Sequence, residues 1–333
     1  MDADTVSDDG ELAFVSTGAL PAPDRVRALV AEAYARFRGV EVGENSDVYP
    51  ALQAVPAEHF GIGVMSVNGA LYTTGDADVE FSMMSVAKPF VFALVCAAVG
   101  PDVIRERVGV DATGLPFNSL TAVERSERGR TNPMVNSGAI VTASMAPGSD
   151  ADEKWKFLLD GLSRFAGRGL TIDTGIYASA SATNHRNQAI AQLLQNFGQL
   201  ELDPADAVDI YTKQSSLSVT ASDLATMGAT LADGGVHPVT GERVVDATSS
   251  RCALAVMTVA GLYETSGAWL YDVGLPGKSG IGGGIVTVSP GKGGLGTYAP
   301  PLDGAGNSVR GQLAARFLSR RLGLDLFASA PVR

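Results

Sequence analysis

Phe81-Ser82-Met83-Met84-Ser85-Val86-Ala87-Lys88-Pro89 runs directly into the uncharged stretch Phe90 to Val99. That stretch predicts a helix buried on most of its sides. Ser85 and Lys88 stand three residues apart, a spacing that stacks them on one helix face. A buried helix that opens with a hydroxyl beside an amine can hold a nucleophile and its base. A desolvated lysine prefers to be neutral, and a neutral amine can take the serine's proton. The Ser85 N–H, free at a helix start, would face the oxyanion formed on attack. Ser-x-x-Lys also recurs by chance as a helix N-terminus with an ordinary lysine, so its meaning depends on the rest of the chain. Pro89 cannot donate to the Ser85 carbonyl. A regular helix is therefore expected from Pro89 onward, with Ser85 to Lys88 forming a tighter turn.

Outward from this stretch, strand patterns lie at the two ends and helical patterns between. Residues 1 to about 22 are acidic and Pro-spotted, and read as a poorly ordered arm. Pro23-Asp24 opens a helix with Val26, Leu29, Val30, Ala33 and Phe37 on one face. Phe60 to Val67 and Ala70 to Thr74 flank Asn68-Gly69, a strong hairpin signal. A charged segment runs from Arg105 to Arg130, and its end, Glu124 to Arg130, reads as a solvated loop able to cover a site. From Val135 to about Gly261 the signals are helical, with stripes such as Leu158, Leu162 and Phe165 or Ile190, Leu193 and Leu194 that are core packing. A second hairpin spans Gly284 to Tyr298, and a helix from Ser308 to Leu322 closes the pattern. The expected fold is α+β: an antiparallel sheet built from both chain ends, flanked by helices, with a helical subdomain inserted. The sheet part would take about 23–80 and 262–333, the helical part about 81–261, the whole forming a single catalytic domain over 23–333.

Bulk properties narrow the function. The 333 residues hold 25 Lys and Arg against 36 Asp and Glu, a net charge of −11. That balance argues against nucleic acid or an anionic membrane as partner. No apolar run approaches the roughly 20 residues that span a bilayer. The first ten residues are acidic where an export signal would be basic and then apolar, so the cytoplasm is expected. Cys96 and Cys252, both in apolar helical patterns, read as buried free thiols. His59, His185 and His237 lack metal-ligand spacing and read as surface or loop residues; no metal and no cofactor is expected. Two Gly-rich stretches fail as phosphate or dinucleotide loops: Asp272 stands where Gly277-Lys278-Ser279 would need its first glycine, and Gly280 to Gly284 precedes a strand.

Three further stretches are unusual for plain structure. Thr131-Asn132-Pro133-Met134-Val135-Asn136-Ser137-Gly138 combines turn residues with two amides. Asp209 to Ser216 sets Tyr211 beside a polar cluster. Leu275 to Ile281 puts Lys278, Ser279 and flexible backbone at a strand edge. With Ser-x-x-Lys they resemble the penicillin-recognising serine hydrolases, of β-lactamase or DD-peptidase fold. The resemblance is closer to one branch, the bacterial-type glutaminases. Arg186-Asn187, Asp223 to Gly235 and Pro300 to Arg310 look like that family's phrases in the same order, over about residues 23 to 327.

The resemblance implies a metal-free amidohydrolase that converts L-glutamine and water to L-glutamate and ammonia through a glutamyl ester on Ser85. Lys88 would deprotonate Ser85, and Tyr211 would shuttle protons to the departing amine and from the hydrolytic water. A phenol suits that role when coupled to Lys88 or Lys278. The N–H groups of Ser85 and Ile281 would form the oxyanion hole. Asn136, Asn187 and Tyr263 match positions that hold the glutamine, although each is also readable as a turn, cap or packing residue. Lys278 and Ser279 either react or only shape the pocket. One position departs: the family's glutamate for the substrate ammonium, seven residues before the asparagine, is Ala180 here. Either Glu264 compensates, or the site takes a different amide; a non-catalytic scaffold of the same fold is the third reading. A homodimer or homotetramer is implied as well.

Overall fold

The computed structural model describes residues 18–328, so most of the expected acidic arm lies outside the described residues. The first helix, Pro23–Phe37, starts on a proline that needs no hydrogen-bond acceptor and carries Asp24 in its first turn. Its Val26, Leu29, Val30 and Ala33 are buried. Strands β1 (Gly61–Ser66) and β2 (Leu71–Gly75) form the first hairpin, with Gly69 of its turn at φ 84°. Phe81–Ser82 (β3) and Ser218–Val219 (β4) pair as a two-residue ladder. Strands β5 (Gly277–Ser279), β6 (Gly284–Ser289) and β7 (Gly293–Tyr298) complete the set.

The main sheet has the order β2-β1-β7-β6-β5, every neighbour antiparallel. Its centre is the β1–β7 pairing, with Ile62 opposite Thr297, which joins the two chain ends as the sequence predicts. Alternation then sorts the side chains. Ile62, Val64, Ile285 and Leu295 pack with the helices Pro23–Phe37 and Val309–Leu322, while Val286, Val288 and Tyr298 join the helical core. On that second face the helix Ala221–Ala232 lies directly on β7. Added Cβ atoms at Gly294 and Gly296 would stand 2.3 Å from the Ala225 carbonyl oxygen and 2.1 Å from that of Ala221. Only glycine permits so close an approach of helix to strand.

The second core surrounds the helix Ala87–Val99, whose residues 87–96 are all buried. Phe90 meets Phe165 with ring centroids 5.2 Å apart. The expected tight turn before this helix is a 3-10 turn at Met84–Val86, and the α-helix begins at Ala87, two residues ahead of Pro89. Position 89 falls in the first turn, where the missing N–H costs nothing.

Several expectations need correction. The charged segment holds two helices that its pattern did not reveal, Pro101–Val108 and Leu120–Arg125, which bury Ile104, Val108, Ala122 and Val123; the expected loop Glu124 to Arg130 begins in the second and continues as a 3-10 turn at Glu127–Gly129. Cys96 is buried as expected, but Cys252 is only half-buried. His237 is in a loop yet buried, its Nδ1 accepting from the N–H groups of Val239 and Thr240.

Candidate active site

Five elements converge on Ser85: the 3-10 turn that carries it, the N-terminus of the helix Asn136–Ser144, the helices Thr174–Thr183 and His185–Asn196, and the helix Pro204–Ser215. Lys88 Nζ lies 2.8 Å from Ser85 Oγ and 2.8 Å from Asn136 Oδ1. Tyr211 donates its hydroxyl to the same Asn136 oxygen at 2.9 Å. Lys88 is 1% exposed, and no carboxylate pairs with it among the described residues. Burial without a counter-charge pushes its amine down to about 7. Burial pushes the Tyr211 phenol well above its ordinary value, so it stays protonated.

The orientation of Asn136 is dictated from a distance. The Thr212 hydroxyl donates to the Val208 carbonyl at 2.7 Å and so accepts from Asn184 Nδ2 at 2.8 Å. Asn184 Oδ1 then faces Asn187 Nδ2 at 2.5 Å, and Asn187 Oδ1 faces Asn136 Nδ2 at 2.9 Å. A row of three amides anchored on one main-chain carbonyl therefore turns Asn136 Oδ1 toward Lys88 and Tyr211. That oxygen takes an N–H from Lys88 and leaves the amine's lone pair for Ser85.

The motif around Asn136 explains its placement. Asn132 is structural: its Oδ1 caps the Met134 N–H at 2.9 Å and its Nδ2 donates to the Asp111 carbonyl at 2.8 Å. Gly138 lets the helix start against that turn, since a Cβ there would stand 2.0 Å from the Asn132 carbonyl oxygen. The Asn136 N–H is received by the Phe117 carbonyl at 2.8 Å.

Two main-chain donors lie near the nucleophile without an acceptor. Neither the Ser85 nor the Ile281 N–H has a main-chain or side-chain acceptor among the described residues. The loop after β5 brings them together: a Cβ at Gly280 would stand 3.2 Å from the Ser85 nitrogen, and Ile281 lines the same pocket as Ser85. Met84 and Tyr263 are two of the three non-glycine residues with positive φ among the described residues, at 46° and 54°. Strain of this kind gathers at sites where the surrounding structure over-determines the backbone.

The pocket measures about 80 Å³ and is lined by Tyr49, Ser85, Asn136, Ala180, Asn187 and Tyr211, among others. A groove of about 710 Å³ beside Arg105, Arg125 and Arg130 is larger but contains none of the reactive groups. Over residues 43–327 the chain matches the family model described as Glutaminase. "Glutaminase 2" of Yersinia pestis is 62% identical over 325 residues, 98% of this chain and 96% of that protein. The chain belongs to the glutaminase family. As its family name states, the enzyme is an amidohydrolase. The "Glutaminase" of Brucella canis is 47% identical over 92% of this chain and 96% of its own. Among solved structures, the probable glutaminase ybaS superposes with a TM-score of 0.91 at 39% identity, covering 93% of this chain and all of that one. Mglu in its glutamate form superposes with a TM-score of 0.85 at 36% identity, covering 93% and 71%. These glutaminase neighbours carry the β-lactamase-like fold that the motifs imply.

Within this glutaminase the expected residues do not all reach the pocket. Ser85, Lys88, Asn136, Asn187, Tyr211, Ile281 and Ala180 come together. Lys278 and Ser279 stand behind it. Lys278 Nζ donates to the Ser279 carbonyl at 2.6 Å and lies 4.3 Å from the centroid of the Tyr263 ring, while Ser279 Oγ meets Asn307 Oδ1 at 2.5 Å. Burial and the nearby Lys88 hold Lys278 well below its ordinary value. Tyr263 is different: its hydroxyl donates to the Ser279 carbonyl at 3.3 Å and also stands beside the Ser85 side chain, and burial pushes it up to about 12. Glu264 is exposed in a separate depression beyond Tyr263, so it does not replace the glutamate missing at position 180. Sequence reasoning gave no role to Asn184, Thr212, Tyr49 or Phe117. Asn184 alone had a signal, three residues before Asn187 on helical spacing.

Proposed function

We infer that Ser85 is the nucleophile and Lys88 its base in hydrolysis of L-glutamine to L-glutamate and ammonia. The observation that carries this reading is the burial of Lys88 Nζ, with no carboxylate partner among the described residues, at 2.8 Å from Ser85 Oγ. Neutral Lys88 takes the Ser85 proton as Oγ bonds to the side-chain amide carbon. The oxygen that gains the negative charge is received by the Ser85 and Ile281 N–H groups, each donor worth about 3–4 kcal/mol in comparable acyl transfer. The tetrahedral species collapses with release of the nitrogen, which takes the Tyr211 proton and leaves as ammonia. The Lys88 ammonium restores the phenol, so the amine is neutral again for the second half. Water then gives a proton to Lys88 and its oxygen to the ester carbon, and Ser85 recovers its proton as L-glutamate departs. The raised Tyr211 phenol fits a proton donor, and the lowered Lys88 amine fits a base, so the two roles are divided by environment. Asn136 and Asn187 are assigned to the substrate as well as to the amide row, and Tyr263, beside Ser85, to the substrate too.

Support also comes from Mglu, which was solved in a glutamate form. The same reading makes residues 23 onward one catalytic unit, since the sheet supplies Ile281 and the helical part supplies Ser85. Among the described residues no helix is long and apolar enough to cross a membrane. Family resemblance supports a cytoplasmic homodimer or homotetramer. The test is ammonia release from millimolar L-glutamine. Turnover that disappears in Ser85→Ala is expected; no ammonia from the unaltered protein would refute the reading.

A further inference from the structure

The lining of the Ser85 pocket is matched to one end of an amino acid and not to the other. It contains one guanidinium, Arg186, exposed at the mouth with Nε donating to the Asn118 carbonyl at 2.8 Å. No Asp or Glu lines it among the described residues. Its amide oxygens are already engaged: Asn136 Oδ1 by Lys88 and Tyr211, Asn187 Oδ1 by Asn136, Asn184 Oδ1 by Asn187. The Thr183 and Ser215 hydroxyls donate to the carbonyls of Ser179 and Tyr211. The side-chain acceptors left in the lining are hydroxyl oxygens, those of Tyr49, Thr183 and Ser215 among them, and the Asn118 amide, all uncharged. Asp209, which does not line the pocket, is held by Lys213 at 2.7 Å and by the Tyr177 hydroxyl at 2.5 Å. Where the helix Thr174–Thr183 reaches the pocket, it offers the buried methyl of Ala180.

A carboxylate on the substrate's α-carbon meets Arg186 at the mouth. An α-ammonium in the same place finds no opposite charge in the lining among the described residues. We propose that the site reads the γ-carboxamide and the α-carboxylate but not the α-ammonium, so five-carbon γ-carboxamides without that charge are substrates on a par with glutamine. The inference rests on the amidohydrolase reading above.

The test compares kcat/KM for ammonia release from L-glutamine and from glutaramate, the same molecule with hydrogen in place of the α-amino group. A site built to hold a polar group rejects the analogue lacking it by about 10⁴-fold or more. Here the two values are expected to lie within about tenfold. A larger preference for glutamine overturns the inference and leaves the amidohydrolase reading intact. Silence with both substrates overturns both. Ala180→Glu, which puts a carboxylate into that wall, is expected to raise the glutamine-to-glutaramate ratio at least about tenfold, through KM more than kcat. An unchanged ratio overturns the assignment of this wall to the α-position.

Discussion

Lowering the pH from 8 to 6 should cut kcat/KM about tenfold, because Lys88 must be neutral to take the Ser85 proton. With the amine pushed down to about 7, the neutral fraction is about 90% at pH 8 and about 10% at pH 6. An ordinary lysine at 10.5 would be less than about 1% neutral at pH 8, and its rate would climb until pH 10. The cause is burial without a counter-ion, so the same group also affects stability. Its folded value lies below its unfolded value, and the unfolded chain therefore binds more protons between about pH 7 and 10.5. Stability rises with pH across that window. At 1.36 kcal/mol per pH unit the cost at neutral pH is on the order of 5 kcal/mol. Lys88→Met should therefore abolish turnover while holding or raising the urea midpoint. The assays are steady-state ammonia release from pH 5 to 10 and equilibrium urea unfolding. A kcat/KM that still rises tenfold per pH unit above pH 8, or an active Lys88→Met protein, would refute the reasoning.

Asn136→Asp keeps an oxygen 2.8 Å from Lys88 but adds a charge, so the acid limb of kcat/KM should move up by about one pH unit or more. A pH–rate series checks this. Tyr211→Phe leaves the ring and removes the donor to Asn136, so kcat should fall about 10²- to 10⁴-fold. The thermal midpoint should move only slightly, as read by circular dichroism. Gly280→Ala would press a methyl to 3.2 Å from the Ser85 nitrogen and 3.1 Å from the Met83 carbonyl oxygen. Displacing the oxyanion donor should cost about 10²-fold in kcat, with KM for glutamine little changed.

The sheet and its hairpins were legible because Asn68-Gly69 and Pro290-Gly291 sit between β-prone runs, a local signal that tertiary packing does not override. Ser85 and Lys88 were legible because one helical turn brings them together whatever the rest of the chain does. The limits appear where chemistry depends on remote partners. Asn184 and Thr212 orient Asn136 from residues 48 and 76 positions further along, and only the packing of three helices makes them neighbours. The helices Pro101–Val108 and Leu120–Arg125 were hidden because each buries only two side chains beneath a charged surface. Lys278 and Ser279 share a motif with reactive residues elsewhere, yet it is Ile281, beyond the turn at Gly280, that lines the pocket, while Lys278 is spent on the Ser279 carbonyl.

The central claim is that Ser85, activated by buried Lys88, bonds covalently to the substrate. Peptide mapping by mass spectrometry after exposure to the glutamine analogue diazo-oxo-norleucine tests it most directly. The adduct should sit on Ser85, form faster at pH 8 than at pH 6, and be absent from Lys88→Met. An adduct on a different residue, or ammonia release that survives Ser85→Ala, would contradict it.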